Sequence, residues 1–183
     1  MPRFILLDAV EKLAMDSYLE RLHEAINSAI RGMTIEDLTR HPEGKWSAAE
    51  VLEHLYLTYS GTVKGFERCL AAAKPLGSSP TLKQRAFIAV VTGMGYFPEG
   101  RQAPERTRPQ GMAAEKVVAE IGSKIAAMDQ LITQCEARYG VRTRVLDHPI
   151  LGPLTARQWR KFHWVHGRHH VKQILRLRSG VFQ

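Results

Sequence analysis

Two short stretches mark where two long helices of this chain begin. Ser47 and Glu50 have the spacing of a capping box, in which the Ser hydroxyl accepts from the amide three residues on and the Glu carboxylate accepts from the Ser amide. Trp46 just before the cap and Val51 four residues after it can pack together as a hydrophobic staple. Thr155 and Gln158 repeat the box, with Leu154 and Trp159 as its staple. A capped start followed by apolar residues at helical spacing predicts a long helix in each place. The first runs from Ser47 to about Ala73, where Pro75 and Gly77 stop it, and the other from Thr155 to about Arg178, where Gly180 closes it.

Two more helices follow from periodicity. Residues 8 to 31 carry Val10, Leu13, Leu22, Ala25, Ile26 and Ala29 at helical spacing, with Asp8 as N-cap and Gly32 as terminator. Ala113 to Arg138 carries the stripe Val117, Ile121, Ile125, Met128, Leu131 and Ile132, ended by Gly140. Thr34 to Trp46 reads as a connection with one short turn at Ile35 to Leu38, and Val141 to Leu154 as a connection throughout. The least regular stretch, 74 to 111, holds Pro75, Pro80, Pro98, Pro104 and Pro109. A short helix over Thr81 to Thr92 is expected there, in a segment made basic by Arg101, Arg106 and Arg108. A connection of this length is a lid, a binding loop or a disordered linker. The expectation is therefore an all-α protein, an antiparallel four-helix bundle forming one domain over 1–183, with a long irregular connection between its second and third helices.

The chain's 183 residues can bury a substantial core, and its 44% hydrophobic content is ordinary for a globular protein. A net charge of +8 favours polyanions, acidic membrane surfaces or anionic small molecules. The basic residues are dispersed, however, and there is neither a helix-turn-helix signature nor aromatic–basic interleaving, so nucleic-acid binding is the weaker alternative. Arg160, Lys161 and Arg168 read as a solvated face. Cys69 and Cys135 lack CxxC spacing and fall in helical segments, so buried free thiols are expected, with a disulfide between them as an alternative that no spacing supports. The apolar run Phe4 to Leu7 is too short for a signal peptide, and Ala86 to Phe97, interrupted by Gly93 and Gly95, falls short of the roughly 20 residues that span a bilayer. No membrane association and a cytoplasmic setting are expected.

The chemistry is concentrated in FHWVHGRHHVKQI, residues 162 to 174, which holds four of the eight histidines. Residues four apart share a helix face, so His166 and His170 point the same way, as two ligands of one ion must. Neutral imidazole is a good ligand for zinc, nickel, iron and copper. Trp159, His166, His170, Gln173 and Leu177 lie near one line of that helix, with His163 and His169 flanking it. The competing reading makes these surface or singly hydrogen-bonded histidines. A third ligand must come from elsewhere, and His54 is the leading candidate. Taken alone, His54 reads equally as a core histidine bonded to a carbonyl. Thr58, Gly61 and Gly65 follow it on roughly one face, where small residues leave room for another helix or for a ligand.

WSAAEVLEHL at 46–55, HPILGPLTARQW at 148–159 and VHGRHHVKQI at 165–174 together resemble the DinB/YfiT-like superfamily. The resemblance implies a four-helix bundle that binds a divalent metal ion through three histidines. The first would be His54 and the other two His166 and His170, leaving His169 outside the ligand set. It also implies zinc or nickel, with iron as an alternative, and a metal-dependent transferase or isomerase acting on a small-molecule substrate with a low-molecular-weight thiol as cosubstrate. A metal-binding or vestigial bundle without turnover is the alternative in the same class. Glu50, whose place in the capping box already explains it, and His163 and Gln173 are the candidates for orienting the ligands or contacting substrate. Related bundles often pair, so a homodimer is expected.

Overall fold

The computed structural model describes residues 15–97 and 102–180. The order of elements is α1 (Ser17–Ile30), α2 (Ile35–Thr39), α3 (Ala48–Ala71), α4 (Leu82–Ile88), α5 (Ala114–Tyr139), β1 (Arg144–His148), β2 (Gly152–Thr155) and α6 (Ala156–Ser179). A six-residue π-helical stretch, Ala89–Met94, continues α4, and a single 3-10 turn, Glu105–Thr107, interrupts the segment before α5. The protein is predominantly helical.

Both expected capping boxes form. Ser47 accepts from the Glu50 amide at 3.2 Å while the Glu50 carboxylate accepts from the Ser47 amide at 2.8 Å. Thr155 and Gln158 do the same at 3.3 and 3.0 Å. Two boxes that were not foreseen, Thr34 with Asp37 and Thr81 with Gln84, start α2 and α4. Asp16 caps α1, its side chain accepting from the Tyr18 amide. Asp8, Val10 and Leu13 lie outside the described residues.

The long helices surround one core. Leu19, Leu22 and Ile26 of α1 meet Leu52, Leu55, Tyr59 and Phe66 of α3, Ile121, Ile125, Met128 and Ile132 of α5, and Trp159, Phe162 and Ile174 of α6. Helices α3 and α6 are antiparallel: His54 faces His166 and His170, whereas Thr62 faces His163 and Phe66 packs on Trp159. The expected antiparallel order does not extend to every neighbour. Tyr56 donates to Glu120 near the starts of α3 and α5, and Tyr139 donates to the Cys69 carbonyl near their ends, so these two run parallel. Helices α1 and α6 are also parallel, with Leu22 against Gly167 and the Ala29 carbonyl accepting from Arg178. A parallel α3–α5 pair requires a return of about 36 Å, the length of a 24-residue helix. The long connection before α5 makes that return.

The reading of Val141 to Leu154 as a connection is corrected at 144–155, which forms a small two-stranded antiparallel hairpin. An isolated hairpin is marginal in water, and here it is held by packing. Val145, Leu146, Leu151 and Leu154 are buried, and Trp159 Nε1 donates to the Leu146 carbonyl at 3.2 Å. Leu146 lies so close to Gly65 that a Cβ there would meet its Cδ2 at 2.6 Å. The small residue on α3 thus admits a strand rather than a helix, and Gly61 remains exposed.

Candidate metal centre

His54 sits two turns into α3 on its buried face, between Leu52 and Leu55, which anchor it in the core. His166 and His170 project from consecutive turns of α6 toward it. The three rings converge on their Nε2 atoms. His54 Nε2 lies 3.3 Å from His166 Nε2, which lies 3.0 Å from His170 Nε2. One nitrogen from each of the three lies within 4.8 Å of the other two, and this is the group among the described residues that could hold a metal ion.

Partners on the far side of the rings select the tautomers. His54 Nδ1 is 2.7 Å from the Thr107 carbonyl, which can only accept, so Nδ1 carries the proton and Nε2 a lone pair. His170 Nδ1 donates to Gln173 Oε1 at 2.7 Å, with the same consequence. His166 Nε2 therefore faces two acceptors, and a proton on it could satisfy only one. Its own Nδ1 is buried without a hydrogen-bond partner. A cation shared by the three Nε2 atoms resolves this arrangement, and three nitrogens each about 2.0–2.1 Å from a tetrahedral ion stand about 3.3 Å apart. The donor set and its spacing fit a divalent ion.

Electrostatics keep the imidazoles neutral. Burial pushes His170 down to about 3, and neighbouring His54 adds to the effect. His166 is held well below the usual histidine value by burial and then by His170 and His54. His54 is lowered by burial, partly opposed by its bond to Thr107. Neutral imidazole is the ligating form.

The site is nearly closed. His54, His166 and His170 are 4%, 6% and 7% exposed. Phe162 stacks on His166 with ring centroids 5.4 Å apart, Phe97 lies 5.1 Å from the same ring, and Trp46 lies 5.5 Å from His54.

The other expected site residues fall in different places. Gln173 orients His170 and also donates to His169 Nε2 at 3.3 Å, which puts His169 beside the site and outside the converging trio. His163 is fully buried one turn earlier on α6. It bonds Thr62 Oγ1 at 3.1 Å and stacks on Trp159. Glu50 remains at the cap of α3, its carboxylate on the Ser47 amide and 3.5 Å from His41. Arg160 is not part of a solvated face: it is 5% exposed and donates to Asp129, Glu136 and Thr133 at 2.6–2.9 Å. Cys69 and Cys135 are buried free thiols, as expected.

Three contributors were not visible in the sequence, and a fourth was signalled only by the HPILG spacing at 148–152. Thr107 acts through its carbonyl, and any residue type offers one. Glu53, next to His54, is 2% exposed and binds three amides of the segment entering α5. Phe97 reaches the site through the fold of the connection. His148, in the HP-x-x-G stretch, accepts from the Ile150 and Leu151 amides at 3.1 Å and so closes the hairpin turn. The HP-x-x-G spacing was the one available signal, and it marks the turn.

Fold and site define a predominantly helical protein with a buried three-histidine group on two antiparallel helices. The chain belongs to a family described as proteins of unknown function, DUF1569, whose model matches residues 12–176. Comparison with curated proteins and with solved structures finds no match. No helix among the described residues is long and apolar enough to cross a membrane.

Proposed function

We propose that this chain is a divalent-metal protein of the DinB/YfiT-like four-helix-bundle type, with zinc or nickel held by the Nε2 atoms of His54, His166 and His170. In this reading it is a metal-dependent transferase or isomerase that acts on a small molecule and uses a low-molecular-weight thiol. The observation that carries the metal is the convergence of three Nε2 atoms, two of them with their Nδ1 protons committed to Thr107 and Gln173. The resemblance of the capped helices and the histidine spacing supports the thiol chemistry. Three protein ligands leave a coordination position for an exogenous group. The ion supplies Lewis acidity there, which lowers the pKa of a thiol or a water. Thr107 and Gln173 hold the imidazoles in the ligating tautomer, and Phe97, Phe162 and Trp46 keep bulk water away from them.

A second reading, a metal-binding bundle without turnover, is favoured by the burial of all three histidines beneath aromatic rings. The primary test is elemental analysis of protein purified without chelator or affinity-tag nickel. One ion per chain, lost in the His54→Ala, His166→Ala and His170→Ala variants, supports the metal site. A wild-type protein that neither contains metal nor takes up added zinc sinks it. A thiol-transfer screen of the loaded protein then separates the two readings, since only the first gives turnover that a chelator abolishes.

A further inference from the structure

Glu53 and His54 are adjacent on α3, yet both engage the same distant stretch of chain. The Glu53 carboxylate accepts from the amides of Gln110 at 2.7 Å, Gly111 at 3.2 Å and Met112 at 3.1 Å. His54 Nδ1 donates to the carbonyl of Thr107, three residues upstream of Gln110. Apart from Met112, which packs against the core at its end, segment 102–112 is thinly held, with Gln102, Pro104, Glu105, Arg106, Arg108 and Gln110 exposed. Its one regular element is the 3-10 turn that ends at Thr107. An ionised carboxylate receiving three backbone amides is a strong anchor for a short stretch, because charge-assisted hydrogen bonds are roughly twice as strong as neutral ones.

We propose that Glu53 is a positioning residue for the histidine site, which fixes segment 102–112 so that the Thr107 carbonyl holds His54 in its ligating tautomer, and that docking of this segment and metal binding are therefore coupled. The inference rests on the metal reading above. A cation on Nε2 withdraws electrons from the ring and makes the Nδ1 proton a better donor, which tightens its bond to Thr107. By linkage, whatever tightens that bond on metal binding must also raise metal affinity when the segment is docked. The Glu53 carboxylate is committed to the three amides, so it acts on the site through the segment it anchors.

The probe is the zinc ion, added to the metal-free full-length protein. Zinc should slow tryptic cleavage after Arg106, which lies exposed in the 3-10 turn, by about fivefold or more, with the cut assigned by mass spectrometry. It should also slow amide hydrogen exchange at residues 110–112. Glu53→Gln places an amide where the carboxylate accepts three bonds. It should weaken zinc binding about fivefold or more, within or below the 10–100-fold range seen when a ligand's supporting partner is lost. It should also remove the zinc-dependent protection. The wild-type protection measurements need no variant and stand even if Glu53→Gln does not fold. Zinc that binds the wild type through the three histidines without changing cleavage at Arg106 or exchange at 110–112 overturns the coupling and leaves the metal site intact. A folded Glu53→Gln protein with unchanged zinc affinity does the same. Failure of the wild type to bind zinc at all overturns both.

Discussion

Gly167 of α6 lies directly against Leu22 of α1, so close that a Cβ on the glycine would fall inside the leucine side chain. Gly167 is also the residue after His166, one of the two histidines that α6 brings to the site. The packing of α6 on α1 and the height of the histidines opposite α3 are thus set at the same point. Gly167→Ala is expected to destabilise the protein by about 1–3 kcal/mol through overpacking, despite the better helix propensity of alanine. Denaturant unfolding checks the stability, and a zinc titration of the same variant should show weaker binding.

Each of His54→Ala, His166→Ala and His170→Ala should lower zinc affinity sharply, by about 100-fold or more, because two imidazoles hold a divalent ion poorly in competition with water. His169→Ala should change it far less, since His169 Nε2 accepts from Gln173 and lies outside the converging trio. Competition against a chelator of known affinity measures all four. Loss of binding in His169→Ala with retention in His170→Ala would reverse the assignment.

Added zinc should raise the thermal midpoint of the wild type, by an amount equivalent to about 2.7 kcal/mol when free zinc is 100 times the dissociation constant. The three alanine variants should show no such rise. Calorimetric scans with and without zinc make the comparison directly.

Acid should destabilise the metal-free protein well above the pH at which carboxylates titrate. Burial pushes His163 and His148 down to about 3, while an unfolded-chain histidine titrates near 6.5. Between those values the unfolded state binds protons that the folded state refuses, so stability is full above about pH 6.5 and falls as pH drops toward 3. His163→Gln retains a hydrogen-bonding group for Thr62 but cannot titrate. It should lower stability at pH 7 and flatten the slope below pH 6.5. Unfolding curves at a series of pH values decide it, and an unchanged slope would remove His163 from the account.

Arg160→Ala should cost about 3–5 kcal/mol, because it leaves Asp129 and Glu136 without their cation in a largely buried setting. Asp129 also accepts from the Asp16 amide at the cap of α1, so the start of that helix should fray in the same variant. Urea unfolding with amide exchange over residues 16–20 tests both effects. A loss below about 1 kcal/mol would return Arg160 to the surface role its sequence context suggested.

Local spacing alone specified the long helices and two of the three converging histidines. Capping boxes, staples and the i, i+4 pairing of His166 with His170 are local: each depends on residues within a few positions, and 3.6 residues per turn converts spacing into a shared face. His54 taken alone reads equally as a core histidine; the family resemblance singles it out, and its meeting with α6 required the fold. The remainder depended on how distant segments fold back on one another. The parallel pairing of α3 with α5 depends on where a long, weakly patterned connection goes, and nothing in its own residues states its destination. The hairpin at 144–155 has neither length nor alternation, with Val145 and Leu146 both buried in succession, and exists because α3 and α6 offer it a surface. The partners that set the histidine tautomers are a backbone carbonyl from residue 107 and a glutamine three residues along α6. A carbonyl carries no side-chain signature, and Glu53 looks like any charged helix residue until the chain folds back and places three amides upon it. Burial itself, which keeps the imidazoles neutral, is a property of the assembled core and of no single segment.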